Sequence, residues 1–290
     1  MLLSLFPLAA QTLPSLLVGA DAAALGRAET VVAAEADAFS ARNHAASMAF
    51  SAETVSAGLS YGLWQPSSGR NLAFSAGWRP GQRFAVGLSG LRLGLPAYEV
   101  TSPNGTVSQI NETYSPKEYV LQLSGAYKVM DCLSVGLSAY LCSSFLASDA
   151  HAAAPGVDIS VSYAGEAFRA GAAVRHLGGK VVYGEGSSAA QPLEIRGGAG
   201  YTFMQSLSLL GEADWSPSCG FTGSAALEYA WNGKILARGG FHYGSGPFVR
   251  ATYGSLGLGA RLKGVRIDAA WVPAGRTMRN TLLVTLACGF

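Results

Sequence analysis

Short segments in which apolar and polar residues alternate follow one another along most of this chain. From Thr54 to the carboxyl terminus we distinguish about fourteen of them, each roughly eight to thirteen residues long. A period of two places successive side chains on opposite faces of a β-strand, and this length suits a strand that crosses a bilayer at a tilt. The pattern therefore predicts an all-β fold in which each strand has an apolar and a polar face.

Segment 118–129 shows this division most clearly. One face carries Tyr119, Leu121, Leu123, Gly125, Tyr127 and Val129, and the other carries Glu118, Gln122, Ser124 and Lys128. Segments 207–215 and 221–231 divide in the same way. Such strands are typical of a barrel whose outer face meets lipid and whose lumen is polar, with aromatic side chains at the strand ends forming the interfacial girdles.

The connections between these segments are alternately short and long. Short ones are predicted near residues 80–82, 130–132, 165–166, 204–206, 232–233 and 264, and longer ones near residues 96–116, 146–155, 178–192 and 244–252. Asn232-Gly233 is the dipeptide that a two-residue hairpin turn prefers, because both positions need positive φ. Outer-membrane barrels alternate short periplasmic turns with longer external loops, so an even number of strands leaves both termini in the periplasm.

Both ends of the chain carry patterns typical of exported outer-membrane proteins. Residues 1–10 form an apolar run that ends in small residues, which predicts a signal peptide. At the other end Leu282, Val284, Leu286, Cys288 and Phe290 share one face of a last strand. A last strand that ends in an aromatic residue resembles the targeting signal of proteins inserted by the outer-membrane assembly machinery. The alternative is an ordinary edge strand that ends in Phe.

Residues 11–53, which we call the hatch, lack strand alternation. They are rich in alanine but include Glu29, Asp37 and Arg42, so they are too polar to cross a membrane. A fourteen-strand lumen is wide enough to need filling unless it is an open pore. We therefore expect a transmembrane antiparallel up-and-down β-barrel of about 14 strands over residues 54–290, with the hatch as a short helical or irregular segment in its lumen.

Composition excludes several other classes of protein. The chain has 37 glycines and 13% charged residues, and its mean hydropathy is +0.25. It nevertheless lacks an uninterrupted apolar run of the length that a transmembrane helix needs. Its 20 basic and 18 acidic residues are scattered, without the basic run or patch of a nucleic-acid-binding protein. Cys132, Cys142, Cys219 and Cys288 lack paired spacing, so we expect them to be unpaired rather than part of a disulfide or metal site.

If the apolar faces meet lipid, the charged side chains of the strands collect in the lumen. They are Arg169, Arg175, Glu194, Arg196, Glu212, Asp214, Glu228, Arg238, Arg261, Arg266 and Asp268. Both signs occur on neighbouring strands, which favours cross-strand ion pairs that tie the wall to the hatch. Asp37, Asn43 and His44 are the candidate site residues of the hatch itself. The residues alone leave two interpretations open: a structural network that fills the lumen, and a selectivity filter or substrate path.

The sequence offers little to an enzyme. A hydrolase would need a serine and a histidine brought together on the barrel wall, with a third group orienting the imidazole. His44 lies in the hatch, His151 in a predicted loop, His176 near a strand end and His242 on a predicted inward face. No spacing among His, Cys and carboxylates resembles a metal site. We expect no enzymatic activity, no cofactor and no bound metal.

The hatch sequence resembles a known family. Residues 19–50, GADAAALGRAETVVAAEADAFSARNHAASMAF, resemble the amino-terminal hatch of the PorV/PorQ family and of the related fatty-acid transporter (FadL-like) barrels. The matching positions are Gly19-Ala20, Leu25-Gly26, the 33–40 run with Asp37, and Asn43-His44-Ala45. Those families usually have Asn-Pro-Ala at the last position, and a second glycine where this chain has Arg27. Residues 115–129, SPKEYVLQLSGAYKV, resemble the strand that follows the first long external loop of PorV/PorQ members.

The resemblance implies a function. PorV and PorQ belong to the type IX secretion apparatus of Bacteroidetes, in which PorV-type barrels accept cargo from the translocon and pass it to surface attachment. This chain would then be a non-enzymatic barrel of the bacterial outer membrane that works through protein contacts in type IX secretion or surface-protein handling. Its partners would be membrane lipid, translocon components and secreted cargo, with residues 96–116 and the external rim as the contact surface.

A FadL-like transporter of hydrophobic small molecules is the alternative. The two functions differ in what fills the barrel. Transport predicts a continuous apolar pocket lined by hatch residues such as Val31, Val32 and Phe39. A role in partner binding predicts a lumen packed by the network of arginines and carboxylates, together with an exposed apolar external rim.

Overall fold

The computed structural model describes residues 13–64, 68–104, 107–183, 187–217, 220–244 and 251–290. The predicted signal peptide and Cys219 lie outside these ranges. Within them the strands are β1 (Val55–Trp64), β2 (Gly69–Trp78), β3 (Phe84–Gly94), β4 (Tyr98–Asn104), β5 (Val107–Tyr114), β6 (Lys117–Met130), β7 (Leu133–Phe145), β8 (His151–Ala164), β9 (Phe168–Gly178), β10 (Lys180–Tyr183), β11 (Ser187–Ala190), β12 (Glu194–Phe203), β13 (Leu207–Ser216), β14 (Gly220–Trp231), β15 (Ile235–Tyr243), β16 (Tyr253–Leu262), β17 (Val265–Gly275) and β18 (Leu282–Gly289).

All of these strands except β4, β5, β10 and β11 form one closed antiparallel barrel. Each barrel strand pairs with the next one along the chain, and β1 pairs with β18 to close the sheet. The predicted up-and-down barrel of about fourteen strands is therefore confirmed. Closure leaves no barrel strand with an unpaired edge, as a sheet in a lipid environment requires.

The two faces of each barrel strand differ as the alternation predicts. On β6, Leu121 and Leu123 are exposed on the outside, whereas Glu118, Gln122 and Ser124 are buried in the lumen. Outward leucine, valine and aromatic side chains continue around the barrel, which gives it an apolar belt. Lipid can cover this belt and the hatch covers the polar face, so each face of the sheet has a suitable environment.

We call the end of the barrel with the short connections the short-turn end and the opposite end the long-loop end. The short-turn end carries the connections 79–83, 131–132, 165–167, 204–206, 232–234 and 263–264, all close to the predicted positions. In the 232–234 turn Asn232 and Gly233 have φ of 52° and 64°, the left-handed values expected from this dipeptide.

The long connections differ from the prediction in two respects. The predicted loop 146–155 is too long, because β8 begins at His151, which pairs with Phe145 of β7. An alanine run that ends in Pro155 has little strand pattern of its own, and pairing with β7 supplies the hydrogen bonds that define it. The predicted loops 96–116 and 178–192 contain two hairpins, β4–β5 and β10–β11, which lie outside the barrel sheet.

The hatch fills the lumen from the long-loop end to the short-turn end. It consists of a 3₁₀ turn (Pro14–Leu16), the helices α1 (Ala22–Gly26) and α2 (Ser40–Asn43), and a second 3₁₀ segment (Ala45–Phe50), joined by irregular chain. Asp21 caps α1 by accepting a hydrogen bond from the backbone N–H of Ala24. In the described part of the chain no helix is both long and apolar enough to cross a membrane.

Close backbone contact holds the hatch against the wall. A Cβ atom built on Gly240 of β15 would lie 2.6 Å from the backbone nitrogen of Ala28, and one on Gly257 of β16 would lie 3.0 Å from Gly26 Cα. Only a residue without a side chain fits at such distances. The inward glycines therefore let the hatch backbone touch the barrel wall.

Candidate functional site

Side chains of the barrel wall hydrogen-bond the irregular backbone of the hatch. Glu212 Oε2 accepts from the backbone N–H groups of Val31 and Val32, at 2.8 and 2.9 Å. Gln122, Ser124, Ser134, Asn71, Arg196 and Ser255 donate to hatch carbonyl groups, and Ser160, Thr285 and Glu118 accept from hatch N–H groups. The polar faces of the strands therefore supply the partners that buried irregular backbone needs.

The first ion-pair cluster lies on β8, β9, β12 and β13. It consists of Asp158, Arg175, Glu194, Arg196, Glu212 and Asp214. Arg196 is at its centre, with Nη2 2.6 Å from Glu212 Oε1 and Nε 2.9 Å from Asp214 Oδ1. Nη2 also lies 3.1 Å from the carbonyl oxygen of Glu29, so this guanidinium joins wall and hatch.

The second ion-pair cluster lies on β14, β15 and β17 and includes two hatch residues. It consists of Arg27 and Asp37 from the hatch and Glu228, Arg238, Arg266 and Asp268 from the wall. Asp268 bridges two strands, with its oxygens 2.7 Å from Arg238 Nη1 and 2.6 Å from Arg266 Nε. Glu228 pairs with Arg238 and with Arg27, the latter at 3.1 Å.

Two of the candidate lumen residues belong to neither cluster. Among the described residues, the ion pair of Arg169 is with the exposed Glu35 of the hatch, at 4.0 Å. Arg261 is exposed near the short-turn end, and no ion pair to it is present in the described ranges. All the other wall charges selected from the sequence lie in one cluster or the other. The structure thus brings most of this set together and leaves these two at its periphery.

The hatch candidates have structural contacts of their own. Asp37 lies 3.8 Å from Arg27 and 3.9 Å from Arg266, and Asn43 donates to Asp21 Oδ1 at 2.7 Å. Burial and the neighbouring Asp37 raise the pKa of Asp21 to about 6. These contacts connect the segment before α1 with α2 and with β17.

His44 lies beside a serine of the wall. Its Nε2 is 2.8 Å from Ser162 Oγ, and both residues are buried. Burial lowers the pKa of His44 to about 4, so the imidazole is neutral at neutral pH. Within the described residues Nδ1 has no hydrogen-bond partner, so the third group that orients a catalytic imidazole is missing. No cluster of three or more potential metal ligands is present in those ranges either.

Apolar side chains pack together at the long-loop end of the lumen, on the side of β6, β7 and β8. The set that we call the mouth cluster consists of Leu13, Leu16, Val120, Tyr140, Cys142, Ala154 and Val181. It joins the start of the hatch, the wall strands β6, β7 and β8, and the β10–β11 hairpin. Cys142 carries a free thiol, as predicted, and so do Cys132 and Cys288.

A cavity of about 170 Å³ lies between hatch and wall at the short-turn end. Asp21, Phe39, Glu53, Arg261 and Arg266 are among the residues that line it. Among the described residues, further spaces of about 10 Å³ each lie along the hatch. Pockets for drug-sized ligands usually have about 300–1,000 Å³, so each of these spaces is smaller than such a pocket.

Two residues of the ion-pair clusters were not selected from the sequence. Asp158 belongs to the first ion-pair cluster, and its position in the alternating run Gly156, Asp158, Ser160 of β8 is the signal that would have found it. Arg27 belongs to the second cluster. It lies in an irregular segment, where no periodicity predicts the direction of a side chain, so its contact with Glu228 could be identified only from the structure.

The sequence matches a known family over most of its length. A family model described as "Type IX secretion system protein PorV" matches residues 8–208. No curated protein matches the chain.

The barrel also resembles solved structures of transporters. The toluene transporter TbuX of Ralstonia pickettii superposes with a TM-score of 0.70 at 16% identity, covering 94% of this chain and 98% of that chain. The P. putida toluene transporter TodX gives 0.68 at 12% identity, covering 94% and 98%. A FadL homologue from Pseudomonas aeruginosa gives 0.61 at 14% identity, covering 93% and 95%. At these identities the likeness shows a shared fold, which is the fold expected of FadL-like barrels.

Proposed function

This chain belongs to the PorV family, and we propose that it is a non-enzymatic outer-membrane β-barrel that works through protein contacts in type IX secretion or surface-protein handling. The long-loop end would face outward and carry the contact surface, and the short-turn end would face the periplasm. β1 begins and β18 ends at the short-turn end, whereas the first described hatch residues lie near the long-loop end. The periplasmic position of both termini stays a prediction.

The observation that carries this proposal is the filled lumen. Val31, Val32 and Phe39, which would line an apolar pocket in a transporter, are buried against the wall. The two ion-pair clusters and the hydrogen bonds to hatch backbone occupy the polar face of the barrel from β6 to β18. A buried network of this kind is a structural device that holds a plug in place, which favours the structural interpretation of the lumen charges over a substrate path.

The fold favours one other function. TbuX and TodX, which are toluene transporters by name, share this architecture. The cavity at the short-turn end, with Phe39 on its wall, is where a small apolar molecule would leave the barrel if the hatch moved. Transport of hydrophobic small molecules is therefore the second candidate.

Affinity purification separates the two functions. The tagged chain is purified from its native outer membrane in mild detergent, and co-purifying proteins and lipids are identified by mass spectrometry. A matched variant lacks residues 98–114, which form the β4–β5 hairpin outside the barrel sheet, so its barrel is expected to fold. We expect the full chain to recover a translocon component or secreted cargo, and the variant to recover less of it.

Recovery of the barrel alone with a bound fatty acid or hydrocarbon would refute the secretion role and support transport. Equal recovery of protein partners by both chains would show that the contact surface lies outside the β4–β5 hairpin. Heat-dependent migration in gels confirms that each barrel is folded before the comparison is made.

A further inference from the structure

Three cationic side chains of the barrel wall point away from the lumen. They are Arg70 of β2, Arg92 of β3 and Lys117 of β6, on strands that neighbour one another in the barrel, and we call them the outer cation cluster. Arg70 and Arg92 are exposed, Lys117 is partly exposed, and each lies on the outward face of its strand. Across the described ranges none of the three belongs to an ion pair. Unlike the charges in the lumen, they therefore lack a carboxylate partner in that part of the chain.

The strand register brings these three cations together. Arg70 and Lys117 both pair with Gly94, one from each side, so they lie in one row of the sheet with a single strand between them. Two strand spacings separate their Cα atoms by about 10 Å. Gly94 has no side chain, and Arg92 occupies the space above it, because both of its Nη atoms lie 3.9 Å from the position of a Cβ built on Gly94. The guanidinium of Arg92 therefore lies between the other two cationic residues.

The outer cation cluster lies at the edge of the apolar belt. On β3, Gly94 is ten residues beyond Phe84, an exposed aromatic residue at the short-turn end of the strand. Ten residues of strand span about 33 Å, and a tilt of about 40° reduces this to about 25 Å of height, which is the height of the lipid-facing band of such barrels. The cations are therefore at the level of the lipid headgroups, where an outward charge costs little.

Apolar side chains surround the outer cation cluster on the outer surface. Leu72 and Tyr119 pair with Arg92 from either side, and the Lys117 ammonium lies 6.0 Å from the centre of the Phe145 ring. Around the rest of the barrel this level carries exposed apolar and aromatic side chains such as Ile195, Phe221, Tyr243, Trp271 and Leu282. A ligand that matches both the cations and their surroundings has an anionic headgroup and hydrocarbon chains.

We propose that the outer cation cluster binds the phosphate of a glycolipid of the outer leaflet, with the acyl chains of this lipid lying along the apolar belt. Guanidinium groups hydrogen-bond phosphate oxygens in pairs, and basic side chains at the membrane surface attract anionic lipid. The outer leaflet of a Gram-negative outer membrane is built largely of lipid A, a phosphorylated glycolipid of this kind. The choice of leaflet rests on the outward orientation of the long-loop end in the proposed function, whereas the geometry of the cluster does not.

Lipid titration of the purified full chain tests the proposal. Diphosphoryl lipid A, lipid A without its phosphates, and phosphatidylglycerol are each added to the chain in detergent, and bound lipid is counted by native mass spectrometry. We expect diphosphoryl lipid A to bind most tightly. Replacing Arg70, Arg92 or Lys117 by glutamine should weaken its binding roughly fivefold each, and the triple variant should weaken it about a hundredfold.

A second triple variant is the matched control. Arg83→Gln, Lys234→Gln and Lys263→Gln remove the same number of exposed cations from the short-turn end, and they should leave the binding of diphosphoryl lipid A unchanged. Heat-dependent migration in gels confirms that every variant is folded.

The proposal is overturned if the unaltered chain binds lipid A equally well with and without phosphates, or binds neither. It is also overturned if the triple variant of the outer cation cluster binds as tightly as the unaltered chain or as the control variant. Phosphatidylglycerol that binds as tightly as diphosphoryl lipid A would overturn the assignment to the outer leaflet. Because these titrations use the purified chain alone, their failure is distinct from a failure to recover translocon components or cargo.

Discussion

Replacing Arg196 by methionine should loosen the hatch from the barrel. The Arg196 side chain is 2% exposed and is the central cation of the first ion-pair cluster, 2.6 Å from Glu212 and 2.9 Å from Asp214. Methionine has a similar length but no charge, so both carboxylates stay buried without their nearest cation. Removing one partner of a buried ion pair costs about 3–5 kcal/mol, because the remaining charge is left uncompensated. We expect the free energy of unfolding to fall by about that amount.

The assay is urea unfolding of the detergent-solubilised chain at neutral pH, followed by tryptophan fluorescence. Arg169→Met is the matched control, since the Arg169 side chain is 31% exposed and its partner Glu35 lies 4.0 Å away. An exposed pair of this kind contributes about 0–1 kcal/mol. Adding Asp214→Asn to Arg196→Met removes one of the stranded charges. The double variant should therefore recover about 1–3 kcal/mol relative to Arg196→Met alone.

A loss for Arg196→Met no larger than that for Arg169→Met would refute this reasoning. It would mean that the first ion-pair cluster, despite its short distances, adds nothing to the attachment of the hatch. A double variant less stable than Arg196→Met would likewise show that Asp214 is not left as an uncompensated charge.

Two further predictions concern the hatch. Gly240→Val should displace the hatch, because the new side chain meets the backbone of Ala28. Protease digestion of the folded barrel should then cut within residues 19–50. Gly125→Val is the control: a Cβ there meets nothing within 4 Å, so digestion should be unchanged. The pKa of the buried His44 is lowered to about 4, so as pH falls the histidine is protonated in the unfolded chain before it is protonated in the folded one. The free energy of unfolding should therefore decrease as pH falls from 6.5 toward 4. Asp21, with its pKa raised to about 6, changes the stability with the opposite sign in an overlapping pH range. The measurement is therefore the difference in unfolding free energy between wild type and His44→Gln as a function of pH. A difference that stays constant between pH 7 and pH 4 would contradict the prediction.

Much of the barrel follows from the sequence alone, for a local reason. A strand with one face in lipid and one in the lumen must alternate, so Leu121 and Leu123 could be assigned outward and Glu118 and Gln122 inward without a structure. The Asn232-Gly233 turn was predictable on equally local grounds, because few residue pairs tolerate two positive φ angles. By contrast, the start of β8 at His151 and the β4–β5 and β10–β11 hairpins depend on pairing, and their residues carry no strong alternation of their own.

The sequence determined which charged side chains would share the lumen, but the tertiary structure decided which of them would meet. The inward face of each strand is a local property, whereas the contacts of Arg196 with Glu212 and Asp214 depend on the register between β12 and β13. The hatch lies beyond the reach of periodicity altogether, because its conformation is irregular and its hydrogen-bond partners come from the wall. Only the closed barrel brings Arg27 to Glu228, since these residues are far apart in sequence and meet when the wall encloses the hatch.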